Sequence, residues 1–216
     1  PEQVRVGEPV QERRDALEGK YGLKAYASNA DVLEGSELVL LAVKPQTLPY
    51  LLPELQKSLR PEHTVASIIA GATMKTLTEG LNHKAVIRIM PNTPAQIGHG
   101  MSVWTASESV PETTKKATSQ ILQTLGEEVY VPDEKLIDMS TALSASGPAY
   151  VFLFIEAMID AGVYLGMARD MARKLVLQTV LGSTELVKQS GRHPADLKDM
   201  VTSPGGTTIA ALRAFE

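Results

Sequence analysis

Apolar positions along this chain follow two regimes, and the change between them falls near Asp133. Before it, short β-branched runs alternate with longer helical stretches. Leu38 to Val43 (Leu-Val-Leu-Leu-Ala-Val), Val65 to Ile69 and Val86 to Ile89 are mostly apolar and rich in branched residues. Such runs predict strands of a parallel sheet buried on both faces. Gln3–Val6 and Leu23–Tyr26 are shorter strand candidates, and Glu128–Val131 closes the series ahead of Pro132-Asp133. Helical stretches lie between them at Glu12–Tyr21, Thr47–Leu59 and Met74–Leu81. Strand–helix–strand alternation of this kind predicts a doubly wound α/β sheet.

From Leu136 onward the strand signal almost vanishes, and the pattern predicts about four or five helices. Gly147-Pro148 starts one of them, and Gly191 to Pro194 separates two others. The expected organisation is therefore 1–132, an α/β domain, followed by 133–216, an all-helical domain. No internal repeat interrupts either part. Pro148 to Met167 has the length of a membrane span, but Glu156 and Asp160 sit one helical turn apart inside it. Paired acids at mid-membrane are costly, so this stretch reads as a helix buried in a protein interface.

A length of 216 residues suits one large or two small domains. The net charge of −4, with no block of Lys or Arg, argues against nucleic acid and anionic membrane as partners. The absence of cysteine excludes disulfides and thiolate metal sites and fits a reducing, cytoplasmic setting. No signal or transit peptide pattern opens the chain. His63, His83, His99 and His193 are scattered without ligand spacing, so no metal is expected.

Candidate chemistry gathers in loops. A doubly wound sheet binds ligands beyond the carboxyl ends of its strands. Ala42 to Gln46, Ile68 to Thr73 and Met90 to Pro94 each follow an apolar strand and offer small residues or proline where a flat ligand can approach backbone. Near the other end of the chain, Val201 to Thr208 places four hydroxyls (Thr202, Ser203, Thr207, Thr208) around Pro204-Gly205-Gly206, just ahead of an apolar helix pattern from Ile209. Free N–H groups at a helix start, flexible glycines and hydroxyls form a cradle for a small carboxylate. Pro-Gly-Gly is equally ordinary turn chemistry, and the residues alone leave both readings open.

One expected feature is missing. A dinucleotide fold carries G-x-G-x-x-G on its first strand–helix turn, whereas the only G-x-G here is Gly98-His99-Gly100, far from such a turn. The first residues read as a second strand ending at Gly7-Glu8, with the acid in the place that meets an adenosine ribose diol. The expectation is a chain without its first strand and phosphate loop, about 25–30 residues by the size of a βα unit. The end at Glu216, inside a helical pattern, likewise looks cut.

Leu41 to Gln46 (Leu-Ala-Val-Lys-Pro-Gln), Ile89 to Pro94 (Ile-Met-Pro-Asn-Thr-Pro), Ser146 to Tyr150 (Ser-Gly-Pro-Ala-Tyr) and the segment 194–216 resemble, in order and spacing, the motifs of the pyrroline-5-carboxylate reductase family. The resemblance implies a Rossmann-like domain and a helical domain that interlocks two subunits into a homodimer, with dimers able to form a ring. It implies reduction of 1-pyrroline-5-carboxylate to L-proline by hydride transfer from NADPH, with NADH as the other candidate. Glu8 repels a 2′-phosphate, while Arg13 and Arg14 attract one.

By the same resemblance, Asn29, Ala42, Val43, Lys44, Pro45 and the backbone of Ile68, Ile69 and Ala70 line the dinucleotide, and Glu8 to Val10 lie near its ribose. Ser203 and the amides of Thr207 and Thr208 hold the substrate carboxylate, and the Thr208 hydroxyl meets the ring nitrogen as the catalytic candidate. Met200 and Glu134 match positions near the substrate, although Met200 stands where a polar residue is common, and Ala145 replaces a usual glycine. Two other readings remain: a related imine or β-hydroxyacid dehydrogenase, and a non-catalytic dimerising protein of the same fold.

Overall fold

A computed structural model describes residues 2–215, so the helical pattern read through Glu216 ends outside the described residues. The chain forms two compact units, 1–148 and 149–216. The first holds a sheet of order β3-β4-β5-β6-β7, made of Leu38–Leu41, Thr64–Ser67, Val86–Met90, Gly100–Ala106 and Gly126–Tyr130. A separate parallel pair joins β1 (Arg5–Gly7) to β2 (Lys24–Tyr26). β3, β4 and β5 run parallel, as expected of their apolar runs. β6 turns back antiparallel to β5, and β7 pairs parallel with β6.

Alternate residues of the central strands serve opposite faces, the period-two rule of a pleated strand. Val65 and Val86 join Leu41, Leu51, Leu55, Leu77 and Leu81 on one face. Ala66, Ile87 and Ile89 join Trp104, Val110 and Leu122 on the other. The first face is covered by α3 (Leu48–Gln56) and α4 (Met74–Leu81), whose leucines recur at helical spacing. Fully buried side chains such as Leu77 each stabilise the fold by roughly 1.5–3 kcal/mol.

Three elements depart from the sequence expectation, the short helix α2 (Asn29–Leu33) among them. β6 was not anticipated, and it makes the sheet mixed rather than wholly parallel. Ser102 and Thr105 are buried in it, so no apolar run announces it. Gly126 is required where β7 begins, because a Cβ there would stand 2.1 Å from the Gly100 carbonyl oxygen. α5 (Glu112–Gln123) is also unanticipated: Thr118 and Leu122 are its only buried residues, and its Thr, Lys, Ser and Gln residues hide the period.

Further along, α6 (Lys135–Ser140) and a π-helical turn (Thr141–Ala145) lead to α7 (Gly147–Tyr164). The sequence changes character at Asp133, yet α6 and the π turn pack with the sheet unit, and the compact units divide only after Pro148. α7, α8 (Arg169–Ser190), α9 (Pro194–Met200) and α10 (Thr207–Phe215) make up the helical part. α8 ends at Gly191, left-handed at φ +62°, and Pro194 opens α9, as the Gly–Pro pattern requires. Asp160 of α7 pairs with Arg169 of α8 at 2.8 Å.

Among the described residues of this second unit, only Ala172 and Val176 are buried hydrophobics. Phe152, Leu153, Leu175 and Leu181 are exposed. An apolar surface of that extent marks an association face. Within the helical stretch 135–164 an 18-residue segment also has the length and composition of a membrane span.

Candidate active site

The loops singled out in the sequence sit at one end of the parallel strands. Ala42, Val43 and Lys44 leave β3 and run into a short 3₁₀ turn at Pro45–Thr47, closed by Thr47 N–H donating to Lys44 O at 2.9 Å. Beside it, Ile68, Ile69 and Ala70 leave β4, where Ile69 N–H reaches Ser67 Oγ at 3.2 Å. Gly71 then turns the chain at φ +76° toward Thr73, whose hydroxyl caps α4. Ile68 N–H also donates to Leu41 O at 3.1 Å, which keeps the two loops side by side.

Glu8 follows β1. Its carboxylate accepts the Val10 N–H at 2.9 Å and lies 3.8 Å from the Arg13 guanidinium. Arg14 is turned instead onto the Glu8 carbonyl at 2.7 Å. Glu8 is thus held in place by the backbone, at the strand end where a ribose diol is met in this kind of fold. Asn29 opens α2 (Asn29–Leu33) and donates through Nδ2 to Glu54 of α3 at 3.0 Å. These residues fit a nicotinamide dinucleotide: Ala42, Pro45, Ala70 and Gly71 are small or lack a long side chain at the ends of parallel strands, and the Glu8 carboxylate is fixed at the end of β1. Among the described residues no glycine-rich strand–helix turn is present for its pyrophosphate.

The second group lies in the helical unit. Met200 ends α9, exposed, with its sulfur against the Arg192 guanidinium. After it the chain passes Ser203, accepts Gly206 N–H on Ser203 O at 3.1 Å, and enters α10 at Thr207. Gly205 is left-handed at φ +66°. The first N–H groups of a helix have no partner within it. Here those of Thr207 and Thr208 open onto the same loop as the Ser203 hydroxyl. A helix start of this kind favours an anion.

Two polar residues organise the first unit: Arg88, to which no role was attached from the sequence, and Asn92 of the Met90–Pro94 loop. Arg88, 3 % exposed on β5, donates to Glu134 Oε1 at 2.6 Å and to Asp138 Oδ1 at 2.7 Å. Glu134, expected beside the substrate, also takes the Met74 N–H at 2.7 Å. Asn92 accepts the Met101 N–H at 2.8 Å and donates to Ser144 O at 3.1 Å. An arginine inside a run of branched residues (Val-Ile-Arg-Ile) was the available signal, since a charge there has to be paired.

Titration is perturbed away from these loops. Burial, followed by the Arg60 guanidinium, pushes His63 below its ordinary value. It precedes β4, at the opposite end of that strand from the Ile68–Ala70 loop. Among the described residues no group of three His, Cys, Asp or Glu residues can hold a metal ion.

A mostly parallel Rossmann-like unit with small-residue loops at its strand ends, joined to a helical unit with an apolar association face, defines a two-domain dinucleotide oxidoreductase. Residues 134–216 match the family model described as pyrroline-5-carboxylate reductase dimerisation, and residues 1–71 match that of the NADP oxidoreductases, coenzyme F420-dependent. The chain is 47% identical to a pyrroline-5-carboxylate reductase of Synechocystis over 100% of its own length and 80% of that relative's. It superimposes on the Coxiella burnetii pyrroline-5-carboxylate reductase with a TM-score of 0.88 at 31% identity, covering 100% of this chain and 80% of that one. For the Plasmodium falciparum pyrroline carboxylate reductase with NADP bound, the TM-score is 0.85 at 35% identity, with 90% and 74% covered. This chain belongs to the pyrroline-5-carboxylate reductase family, and its helical unit serves self-association.

Proposed function

We infer that the protein reduces 1-pyrroline-5-carboxylate to L-proline, with NADPH as the hydride donor and NADH as the alternative. The observation that carries this reading is 47% identity to such a reductase over the whole chain. When bound, the reduced nicotinamide supplies a hydride to the imine carbon, and the imine nitrogen carries a proton. The division of labour we infer gives 1–132 to the dinucleotide and 133–216 to the substrate and to dimerisation.

Within that scheme the chain's own residues bind and orient. The Ser203 hydroxyl and the amides of Thr207 and Thr208 take the substrate carboxylate. The Thr208 hydroxyl aligns the ring nitrogen; a threonine is too weak an acid to protonate it unaided, so its contribution is geometry. Asn29, Ala42 to Pro45 and Ile68 to Ala70 hold the dinucleotide, and Glu8 and Val10 face its ribose. Met200 and Glu134 stand near the substrate.

The active form is a homodimer built on α7 and α8, with dimers closing into a ring, in the cytoplasm and free of membrane or nucleic acid. The absence of cysteine and the net charge of −4 support that setting. The test is turnover: the protein is mixed with 1-pyrroline-5-carboxylate and NADPH or NADH, and both nicotinamide oxidation and proline are measured. Proline formed in step with oxidation supports the reading, and no oxidation with either nucleotide refutes it.

A further inference from the structure

The buried charges of the first unit do something beyond holding a helix. Arg88 sits in the middle of β5, paired in register with Ser67 of β4 and Thr105 of β6. A guanidinium at this depth costs several kcal/mol to desolvate unless it is paired and hydrogen-bonded. Its two arms reach two different carboxylates, Glu134 and Asp138, one at the entrance of α6 and one inside it. The Glu134 oxygen that meets Arg88 also receives the N–H of Met74, the first residue of α4. One carboxylate oxygen therefore connects the sheet interior to the point where the Ile68–Thr73 loop ends.

Asn92 makes the same kind of connection from the next loop. It ties the Met90–Pro94 segment to the carbonyl of Ser144 in the π turn. The two loops at the strand ends are thus fastened to one connector, residues 134–145, and Arg88 is the charge that keeps this connector docked. Glu134 alone could not do so. Its side chain is 31% exposed even beside Arg88, and with Arg88 removed it is held by a single backbone N–H, with water as the competing partner.

We propose that Arg88 is a positioning residue for the hydride-transfer site: through Glu134 and the Met74 N–H it fixes the β4–α4 loop that, in the function inferred above, lines the dinucleotide. It touches neither substrate nor nucleotide. The proposal rests on the inferred reductase activity for its catalytic consequence, but the anchor itself is a property of the fold. Misplacing a reacting ring by about 1 Å costs ~100-fold in rate, so loosening the loop weakens the hydride step and leaves affinity for the adenosine end of the nucleotide almost unchanged.

The test uses the full chain carrying Arg88→Met, Arg88→Lys, Asp138→Asn or Ile87→Val. Amide exchange at Met74 is read first, without substrate or nucleotide. Arg88→Met accelerates it ~10-fold or more, and Ile87→Val, which removes a buried methyl from the same strand, leaves it alone. Arg88→Lys keeps one of the two arms and gives an intermediate rate; Asp138→Asn, at an exposed partner, gives a small change. Single-turnover hydride transfer at saturating nucleotide and imine falls in the same order, ~10-fold or more for Arg88→Met, while the nucleotide Kd by fluorescence stays within ~3-fold.

Unchanged Met74 exchange in Arg88→Met overturns the proposal. So does faster exchange with an unchanged hydride step, or an equal loss of hydride rate in Ile87→Val, which would mark a general stability effect. A wild-type protein that fails to oxidise the nucleotide refutes the reductase reading instead, and the exchange measurement then decides the anchor by itself.

Discussion

Gly206→Ala probes the carboxylate cradle more narrowly than any other substitution. A methyl at Gly206 would stand 2.4 Å from Ser203 Oγ and 3.2 Å from Ser203 O. The carbonyl belongs to the backbone and needs to yield only a few tenths of an ångström, whereas the hydroxyl rotates away altogether. The loop is exposed, so the fold loses about 1 kcal/mol or less, and melting shifts by roughly 4 °C at most. Binding loses more. A hydrogen bond to a charged group contributes about 1.5–3 kcal/mol, which at ~1.4 kcal/mol per decade is roughly a 10- to 150-fold fall in kcat/KM for the imine. Steady-state kinetics with varied 1-pyrroline-5-carboxylate, alongside calorimetry, measures both. Gly205→Ala is the matched control: its φ of +66° strains the new side chain, but nothing lies within 4 Å, so Ser203 stays in place. If Gly206→Ala keeps kcat/KM within about twofold of wild type, or if Gly205→Ala loses as much, Ser203 is not a carboxylate donor and the reasoning fails.

Thr208→Ala should cut kcat ~10-fold or more while nucleotide affinity by fluorescence is retained, with Thr208→Ser recovering most of the rate; equal losses of rate and nucleotide affinity would count against its role. His63 lies below its ordinary value of 6.5 because of burial, then Arg60 and also His83, with Glu62 opposing. The folded ring stays neutral while the unfolded one protonates, so stability is full above pH 6.5 and falls by at most about 1.4 kcal/mol per unit as pH drops below it. Urea unfolding between pH 7.5 and 5.5 should show that slope, flattened in His63→Asn; an identical slope in the variant would exonerate the ring. Glu128 is pushed up by burial, but hydrogen bonds from Ser119, Trp104 and Gln123 outweigh this and hold it below the usual carboxylate range. That stabilisation is present above the unfolded pKa and is lost as pH falls through the folded one. Trp104→Phe removes one donor, so the Glu128 carboxyl, followed by NMR, should titrate higher, with about 1–3 kcal/mol lost at neutral pH; an unmoved titration would contradict the network.

The central strands were legible because parallel strands covered on both faces must be apolar throughout, and Leu38–Leu41 and Val86–Met90 are nearly so. α4 was readable from its leucine spacing, and the Gly–Pro pairs marked where α7 and α9 begin. β6 was not, since Ser102 and Thr105 satisfy themselves inside the sheet and interrupt the apolar run. Its Val103-Trp104-Thr105 triplet between Gly100 and Pro111 carried the signal, too short to stand out as a strand. Of the site, the strand-end loops and the hydroxyl loop could be found, because chemistry concentrates there by composition. The Arg88–Glu134 link could not, because the partners lie far apart in sequence and only packing brings them together. Glu134 was placed by likeness near the substrate, and its geometry ties it to Arg88 and α4.

The account rests on direct delivery of a hydride to a C=N bond held by the 203–208 loop. The most direct measurement is deuterium transfer: turnover with NADPH carrying deuterium at both nicotinamide C4 positions, followed by mass and NMR analysis of the product. Proline carrying one deuterium at C5 for each labelled nucleotide oxidised is the expected result. Unlabelled proline, or nucleotide oxidation without proline, would contradict it.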